Sequence, residues 1–310
     1  MAKSKEITEP TEPAVPEEVV KENKRREVLA PNGILVVIGG AENKGQEDLE
    51  KKEAPNNFTG LEILRSVVQL TGKEDPVIEV ITSASSVRDE SFGDYNKVFT
   101  ELGVTRIGHI HHVARKEVLQ DTASLIERID AADAVFFSGG DQLLLTSLYG
   151  GTLMLKRLKE RYIDEPIVIG GTSAGAMAMS TPMIYAGSKE VQELAGEIKI
   201  TTGLEFLKDV CIDTHFVHRG RFIRLAQVIA TNPASIGIGI EEDTAMIVRG
   251  GTETEIIGSG TVIIFEGYDI TETNVDEFGS KKPISIRNLK VHILSKGDRY
   301  CLVHLNPPHL

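Results

Sequence analysis

Cysteine is scarce in this chain. Its 310 residues hold two, Cys211 and Cys301, and no CxxC pair. That excludes a disulfide framework and a cysteine-based zinc site, and a reducing compartment is the simplest reading. Positive charge is also short: 34 Lys and Arg stand against 46 Asp and Glu, a formal net charge of −12. A nucleic-acid surface would be basic, so no nucleic-acid partner is expected. An acidic chain suits a cationic or zwitterionic substrate without requiring one. No apolar run reaches the ~20 residues that cross a bilayer. The first residues include early lysines but no apolar core of a secretory signal. A cytoplasmic protein without a membrane partner is the expectation. What the chain does have is a 41% apolar fraction, enough for a sizeable core in one large α/β domain or two small ones.

The chain is organised around Pro166 to Ser180. Ile167 to Ile169 reads as a buried parallel strand, which Gly170 and Gly171 are expected to end, and Ala174 to Met179 suits a helix. Between them lies Gly171-Thr172-Ser173-Ala174-Gly175, a G-x-S-x-G in the strand-turn-helix context of a nucleophile elbow. Side chains two residues either side of the serine would collide with backbone, so both places are glycine. Such a turn lifts Ser173 Oγ clear of the sheet, and the Ala174 N–H is free to stabilise an oxyanion.

Met1 to about Pro31 is rich in Glu, Lys, Pro and Thr and reads as a disordered tail with one helical turn at Glu17 to Arg26. The remainder, 32–310, reads as a single α/β domain. Strands are expected at Ile34 to Ile38, Val77 to Thr82, Val104 to His111 and Ala134 to Phe137. Helices are expected at Leu61 to Leu70, Phe92 to Leu102, Leu119 to Ala132 and Leu143 to Tyr162, with a loop at Asn43 to Asn57. This repetition implies a doubly wound, mostly parallel sheet with helices on both faces. Gly39-Gly40, Gly139-Gly140 and Gly170-Gly171 follow three of the strands, three candidate walls of one crevice at strand carboxyl ends. Beyond the elbow, Met183 to Thr202 suggests a hairpin or lid. A strand at Val210 to Phe216, a helix at Phe222 to Thr231 and a strand at Ile236 to Ile240 follow. Antiparallel strands from Ala245 to Phe265 turn at Gly250-Gly251, and edge strands at Pro283 to Leu305 complete a β-rich carboxyl-terminal third.

A catalytic serine needs a base, and the base an orienting acid. Of eight histidines, His309 is terminal and His292 and His304 fall in edge strands. His109 and His111 share a strand face and could form half of a metal site, but no third ligand is evident, so no metal and no cofactor is expected. His215 sits where a strand ends, between Asp213 and Arg219, Arg221 and Arg224. Either Glu241 or Glu242, at the end of another strand, could hold it. The order Ser…His…Glu differs from the Ser…acid…His of α/β-hydrolases, which argues against an ordinary esterase. Cations at a helix start oppose its dipole, so the three arginines suggest a role, and their planar forks suit carboxylates.

Several blocks together resemble the cyanophycinases, within the peptidase E-like serine peptidases. They are Gly170 to Ala176, Asp213-Thr214-His215-Phe216 with Arg219-Gly220-Arg221 and Arg224-Leu225, and Gly239 to Ala245. Gly39 to Lys44, Gly139 to Gln142 and Pro283 to Leu289 extend the match over nearly everything from Gly33 onward. The resemblance implies a fold like the class I glutamine amidotransferases, a homodimer, and a serine exopeptidase. Its substrate would be cyanophycin, a poly-aspartate bearing arginines on its side-chain carboxyls, cut into β-Asp-Arg dipeptides. It implies Ser173 as nucleophile, His215 as base, Glu242 as acid, and Ala174 and Gly140 at the oxyanion hole. Gln142, Asp213, Thr214, Arg219, Arg221 and Arg224 fall at substrate-pocket positions, although the family has glutamine where this chain has Thr214. Rival readings are a peptidase E-like aspartyl dipeptidase and a non-catalytic protein that binds acidic peptides.

Overall fold

The computed structural model describes residues 30–44, 61–187, 193–277, 279 and 281–302. The expected tail with its turn at Glu17 to Arg26, most of the Asn43 to Asn57 loop, His304 and His309 lie outside the described residues. Compactness divides the chain into Met1–Ala30 and Pro31–Leu310, and all that follows concerns the second unit.

The strands in chain order are β1 (Ile34–Ile38), β2 (Val77–Ile81), β3 (Arg106–Ile110), β4 (Ala134–Phe137), β5 (Val168–Thr172), β6 (Ser180–Thr181), β7 (Met183–Ala186), β8 (Lys199–Thr201) and β9 (Leu207–Lys208). They continue with β10 (Val210–Thr214), β11 (Ile236–Ile240), β12 (Thr244–Arg249), β13 (Glu253–Gly258), β14 (Val262–Glu266), β15 (Glu272–Thr273), β16 (Ile286–Arg287), β17 (Lys290–Leu294) and β18 (Arg299–Cys301). The helices are α1 (Glu62–Leu70), α2 (Arg88–Glu101), α3 (Arg115–Gln120), α4 (Thr122–Ala131), α5 (Gln142–Tyr149), α6 (Leu153–Asp164), α7 (Ala174–Ala178) and α8 (Phe222–Thr231).

An eight-stranded sheet runs β18-β13-β12-β1-β5-β4-β2-β3. From β1 to β3 its neighbours are parallel, and β12, β13 and β18 add an antiparallel edge. The period-two alternation of a strand sets the layers. Val36 and Ile38 bury against α1 and α2 through Leu64, Val67, Tyr95 and Phe99. Leu35 and Val37 face the other way, into a core shared with Ile129, Leu145 and Leu158 of α4, α5 and α6. Both faces are covered, as continuous apolar strands require. This is the mixed α/β architecture that the periodicity implies.

The β-rich third is divided between two sheets. Its core strands form a second, six-stranded sheet, β17-β14-β11-β10-β6-β9. Ile212, Ile238 and Ile264 join the core of the first sheet, while Cys211 and Phe265 bury against Leu225 and Ile229 of α8. The turn at Gly250-Gly251 is present, both residues at positive φ, 57° and 74°. β7 and β8 make the hairpin expected after the elbow. The single helix expected over Leu143 to Tyr162 is two. Gly151 takes a φ of 69°, and Thr152 starts α6 by accepting a hydrogen bond from the Leu155 N–H at 3.3 Å, so apolar periodicity alone had run across the break. The helix expected at Leu119 to Ala132 likewise begins earlier and splits at Asp121 into α3 and α4.

Gly170 and Gly171 do not end β5, which continues to Thr172 in register with Ile38. Their role is close approach. A Cβ on Gly171 would lie 2.8 Å from the Gly175 backbone, and one on Gly175 would lie 2.3 Å from the Phe137 carbonyl oxygen. The two glycines of the G-x-S-x-G therefore exist to let β5, α7 and β4 touch around the serine.

Candidate active site

Ser173 stands between β5 and α7 with φ 51° and ψ −112°, a conformation that a non-glycine residue holds only under constraint. His215 follows β10 at φ 49°, which stops that strand at Thr214 rather than Phe216. Glu242 lies in the turn between β11 and β12. Three consecutive carbonyls at the end of β1 hold all three segments. Ile38 accepts from the Ser173 N–H at 3.0 Å, Gly39 from the His215 N–H at 2.8 Å, and Gly40 from the Asp243 N–H at 2.9 Å. The end of β1 thus ties the first sheet to the second at the point where the side chains converge.

The geometry of that convergence is a continuous line. Ser173 Oγ lies 2.9 Å from His215 Nε2, and His215 Nδ1 lies 2.6 Å from Glu242 Oε1. A carboxylate only accepts, so Nδ1–H donates to Glu242 and Nε2 is left to accept the serine proton. Gly40 makes room for the ring, since a Cβ there would sit 2.4 Å from His215 Cε1 and Nε2. Burial holds the His215 pKa below the ordinary imidazole value. The hydrogen bond to Glu242 opposes that shift, and the Arg219 charge adds to it.

Glu241, left equal with Glu242 by spacing, does something else. Its carboxylate accepts from the backbone N–H groups of Val217 and His218, pinning the turn that follows His215.

Two cavities flank Ser173. One, of about 240 Å3, is lined by Gly140, Gln142, Ala174, Thr214, Arg219 and Arg221, among others. The other, of about 260 Å3, is walled by Glu42, Lys44, Glu90, Asp94, Gly139 and His215, among others, and Ser173 lines both. The structure therefore brings together all the sequence-identified site residues, but in different capacities. Asp213 is fully buried. Its Oδ1 and Oδ2 take Arg224 Nη2 and Nε at 2.5 and 2.8 Å, and Oδ1 also takes Arg221 Nη1 at 3.0 Å. Asp213 thus works through the arginines it holds. Gln142 donates to the Ile184 carbonyl at 2.8 Å, which joins the start of α5 to β7. Thr214 Oγ1 is buried and has no hydrogen-bond partner among the described residues.

Residues that the sequence reading passed over are Glu42 and Tyr95. Glu42 is buried in the cavity that Ser173 lines and accepts from Thr172 Oγ1 at 2.5 Å and Tyr95 Oη at 2.6 Å. Its position just after Gly39-Gly40 was the available signal. His109 and His111 share one partner, the Thr82 hydroxyl, at 2.7 and 3.0 Å, and no acidic or thiol ligand joins them among the described residues.

The chain is similar to known peptidases. Residues 35–256 match peptidase family S51. The cyanophycinase of Synechococcus elongatus is 34% identical over 270 residues, covering 87% of this chain and 79% of that one. The cyanophycinase of Geminocystis herdmanii is 33% identical over 267 residues, covering 86% and 92%. In fold, the chain is similar to a crystal structure of a peptidase from an acI-B1 actinobacterium, with a TM-score of 0.60 at 20% identity over 88% of this chain and 98% of that one. With most of its length matched and a third of its residues identical to these enzymes, the chain belongs to peptidase family S51 and is a serine-type peptidase.

Proposed function

We propose that the protein is a cyanophycinase, a serine exopeptidase that releases β-Asp-Arg dipeptides from cyanophycin. The observation that carries this reading is the line Ser173–His215–Glu242 set beside a cavity that presents several arginines. His215 Nε2 takes the proton of Ser173 as Oγ attacks the scissile carbonyl. The oxyanion of the tetrahedral intermediate meets the Ala174 and Gly140 N–H groups, both at the same cavity. Glu242 stabilises the imidazolium, which then gives its proton to the leaving amine, and water repeats the sequence to free the enzyme.

Arg219 and Arg221 hold substrate carboxylates, with Asp213 fixing the position of Arg221. The substrate guanidinium cannot use Asp213, which is closed off by arginines, so it faces the acidic wall of the other cavity, Glu90 and Asp94. Thr214 is shorter than the family's glutamine and offers an unpaired hydroxyl in its place.

The test is product analysis on cyanophycin, its lysine-containing form and plain poly-aspartate. A site with buried polar groups rejects a substrate that leaves them unpaired. β-Asp-Arg is expected from the first, slower release from the second and none from the third. Equal rates on all three would overturn the pocket, and release of simple aspartyl dipeptides in preference to cyanophycin would favour the aspartyl dipeptidase reading.

The pH profile follows from His215. The reaction needs the neutral imidazole, and burial lowers the pKa at which it gains a proton. The neutral form therefore persists to lower pH than for a free histidine, and the acid limb of kcat/KM is expected below pH ~6.5, the ordinary value. An acid limb well above that pH would show that another group controls the rate.

A further inference from the structure

Beside the catalytic line lies a second convergence of ligand atoms, which shares Glu242 with it. One nitrogen of His218 and one carboxylate oxygen each of Glu241 and Glu242 all lie within 4.8 Å of one another. Their places in the chain explain the convergence. The Glu241 carboxylate holds the turn that carries His218, and Glu242 follows it directly, so the imidazole is brought back over the acid. Glu242 gives Oε1 to His215 and presents Oε2 to His218 Nδ1 at 3.9 Å. That separation is too long for a hydrogen bond, and a side-chain shift of about 0.6 Å brings the two atoms to the ~3.3 Å spacing of ligands on a tetrahedral zinc. Glu241 accepts two backbone N–H groups, which leaves lone pairs on a group that has about four. The His218 side chain is 67% exposed, so the place is reachable from solvent.

We propose that His218, Glu241 and Glu242 form a site for a borderline divalent metal, zinc above all, and that occupying it switches hydrolysis off. One imidazole nitrogen with two carboxylate oxygens is a ligand set for zinc with an open fourth position. It is a poor set for magnesium or calcium, which take oxygen ligands. The inhibition rests on the catalytic reading above. A cation on Glu242 withdraws the negative charge that stabilises protonated His215, and it adds a positive charge next to an imidazole that must become cationic. Both effects raise the barrier without touching Ser173.

The experiment titrates zinc chloride into the full chain by calorimetry and, separately, into the hydrolysis assay. Wild type is compared with His218→Ala and with His109→Ala as control. In calorimetry His218→Ala is expected to lose one binding event that His109→Ala keeps. In the assay His218→Ala should retain its basal rate yet need about 10–100-fold more zinc for half inhibition. Magnesium at the same concentrations should leave wild type active, and chelation should restore it after zinc. Identical zinc binding by wild type and His218→Ala would overturn the site. Zinc binding lost with His218 but without inhibition would overturn the switch. Because calorimetry needs no turnover, a protein inactive on cyanophycin would sink the catalytic reading while leaving the metal site still tested.

Discussion

Ser173→Ala is expected to leave a folded protein whose release of β-Asp-Arg falls by roughly 10^4- to 10^6-fold. The Cβ that packs 3.4 Å from the position a Gly139 side chain would occupy is kept, and the hydroxyl gives up one hydrogen bond, to His215. Thermal stability should therefore stay within a few degrees of wild type, since the change touches no buried apolar contact. The loss falls wholly on the chemistry. His215→Ala should cost about as much, and the double variant little more, because nucleophile and base act as one unit. Glu242→Gln should be costly but less so, and Glu241→Gln much milder in the chemical step, since its carboxylate holds backbone rather than imidazole. Measuring kcat/KM for these variants on soluble substrate decides the matter. Appreciable turnover by Ser173→Ala would refute the serine mechanism, and a more damaging Glu241→Gln would move the acid to the other position. A fluorophosphonate probe that labels wild type and not Ser173→Ala gives the same answer without turnover.

The second large effect is on stability as well as activity. Asp213→Ala removes a fully buried carboxylate from between Arg221 and Arg224, whose side chains are only 16% and 9% exposed. Removing one partner of a buried ion pair strands the other charge without water, a change worth about 3–5 kcal/mol. Burial already lowers the Arg221 pKa against the attraction of Asp213, so the carboxylate is what keeps that guanidinium in place. Urea unfolding should show a lower midpoint for Asp213→Ala, and the surviving folded protein should bind substrate poorly because its arginines have lost their mount. Replacing Asp213 and the more buried of its two arginines, Asp213→Leu with Arg224→Met, should recover part of the stability and none of the substrate binding, since apolar packing can replace an ion pair but not a carboxylate receptor, and Arg221 still lacks its partner. A change under about 1 kcal/mol with unaltered substrate affinity would contradict this account of the cluster.

The layers of the molecule were legible because their causes are local. The continuous apolar run of Ile34 to Ile38 and the helical spacing in Leu61 to Leu70 depend on neighbours in sequence, and both elements stand where the pattern put them. The same reasoning failed at Gly150-Gly151-Thr152, where backbone conformation and capping outweigh periodicity, and at Gly170-Gly171, where glycine serves close approach rather than termination. The second sheet was missed for a different reason. Hydrophobic strands such as β11 and β14 carry no mark of which sheet they join, since the pairing is set by long-range packing.

By itself, the sequence determined the alternation of strands and helices, the strained turn that presents Ser173, and the short set of residues that could serve it. Spacing alone did not separate Glu241 from Glu242, because adjacent residues differ only in direction. The tertiary structure sets Glu242 against His215 Nδ1 and Glu241 against the turn that follows, while three successive carbonyls at the end of β1 hold the Ser173, His215 and Asp243 amides from two sheets. Those contacts join positions far apart in the chain, and a hydrogen bond that spans such a distance exists only once the layers have packed. The same packing closes Asp213 behind its arginines at one cavity and sets Glu90 and Asp94 in the wall of the other, so the distribution of charge around Ser173 belongs to the fold and not to any motif.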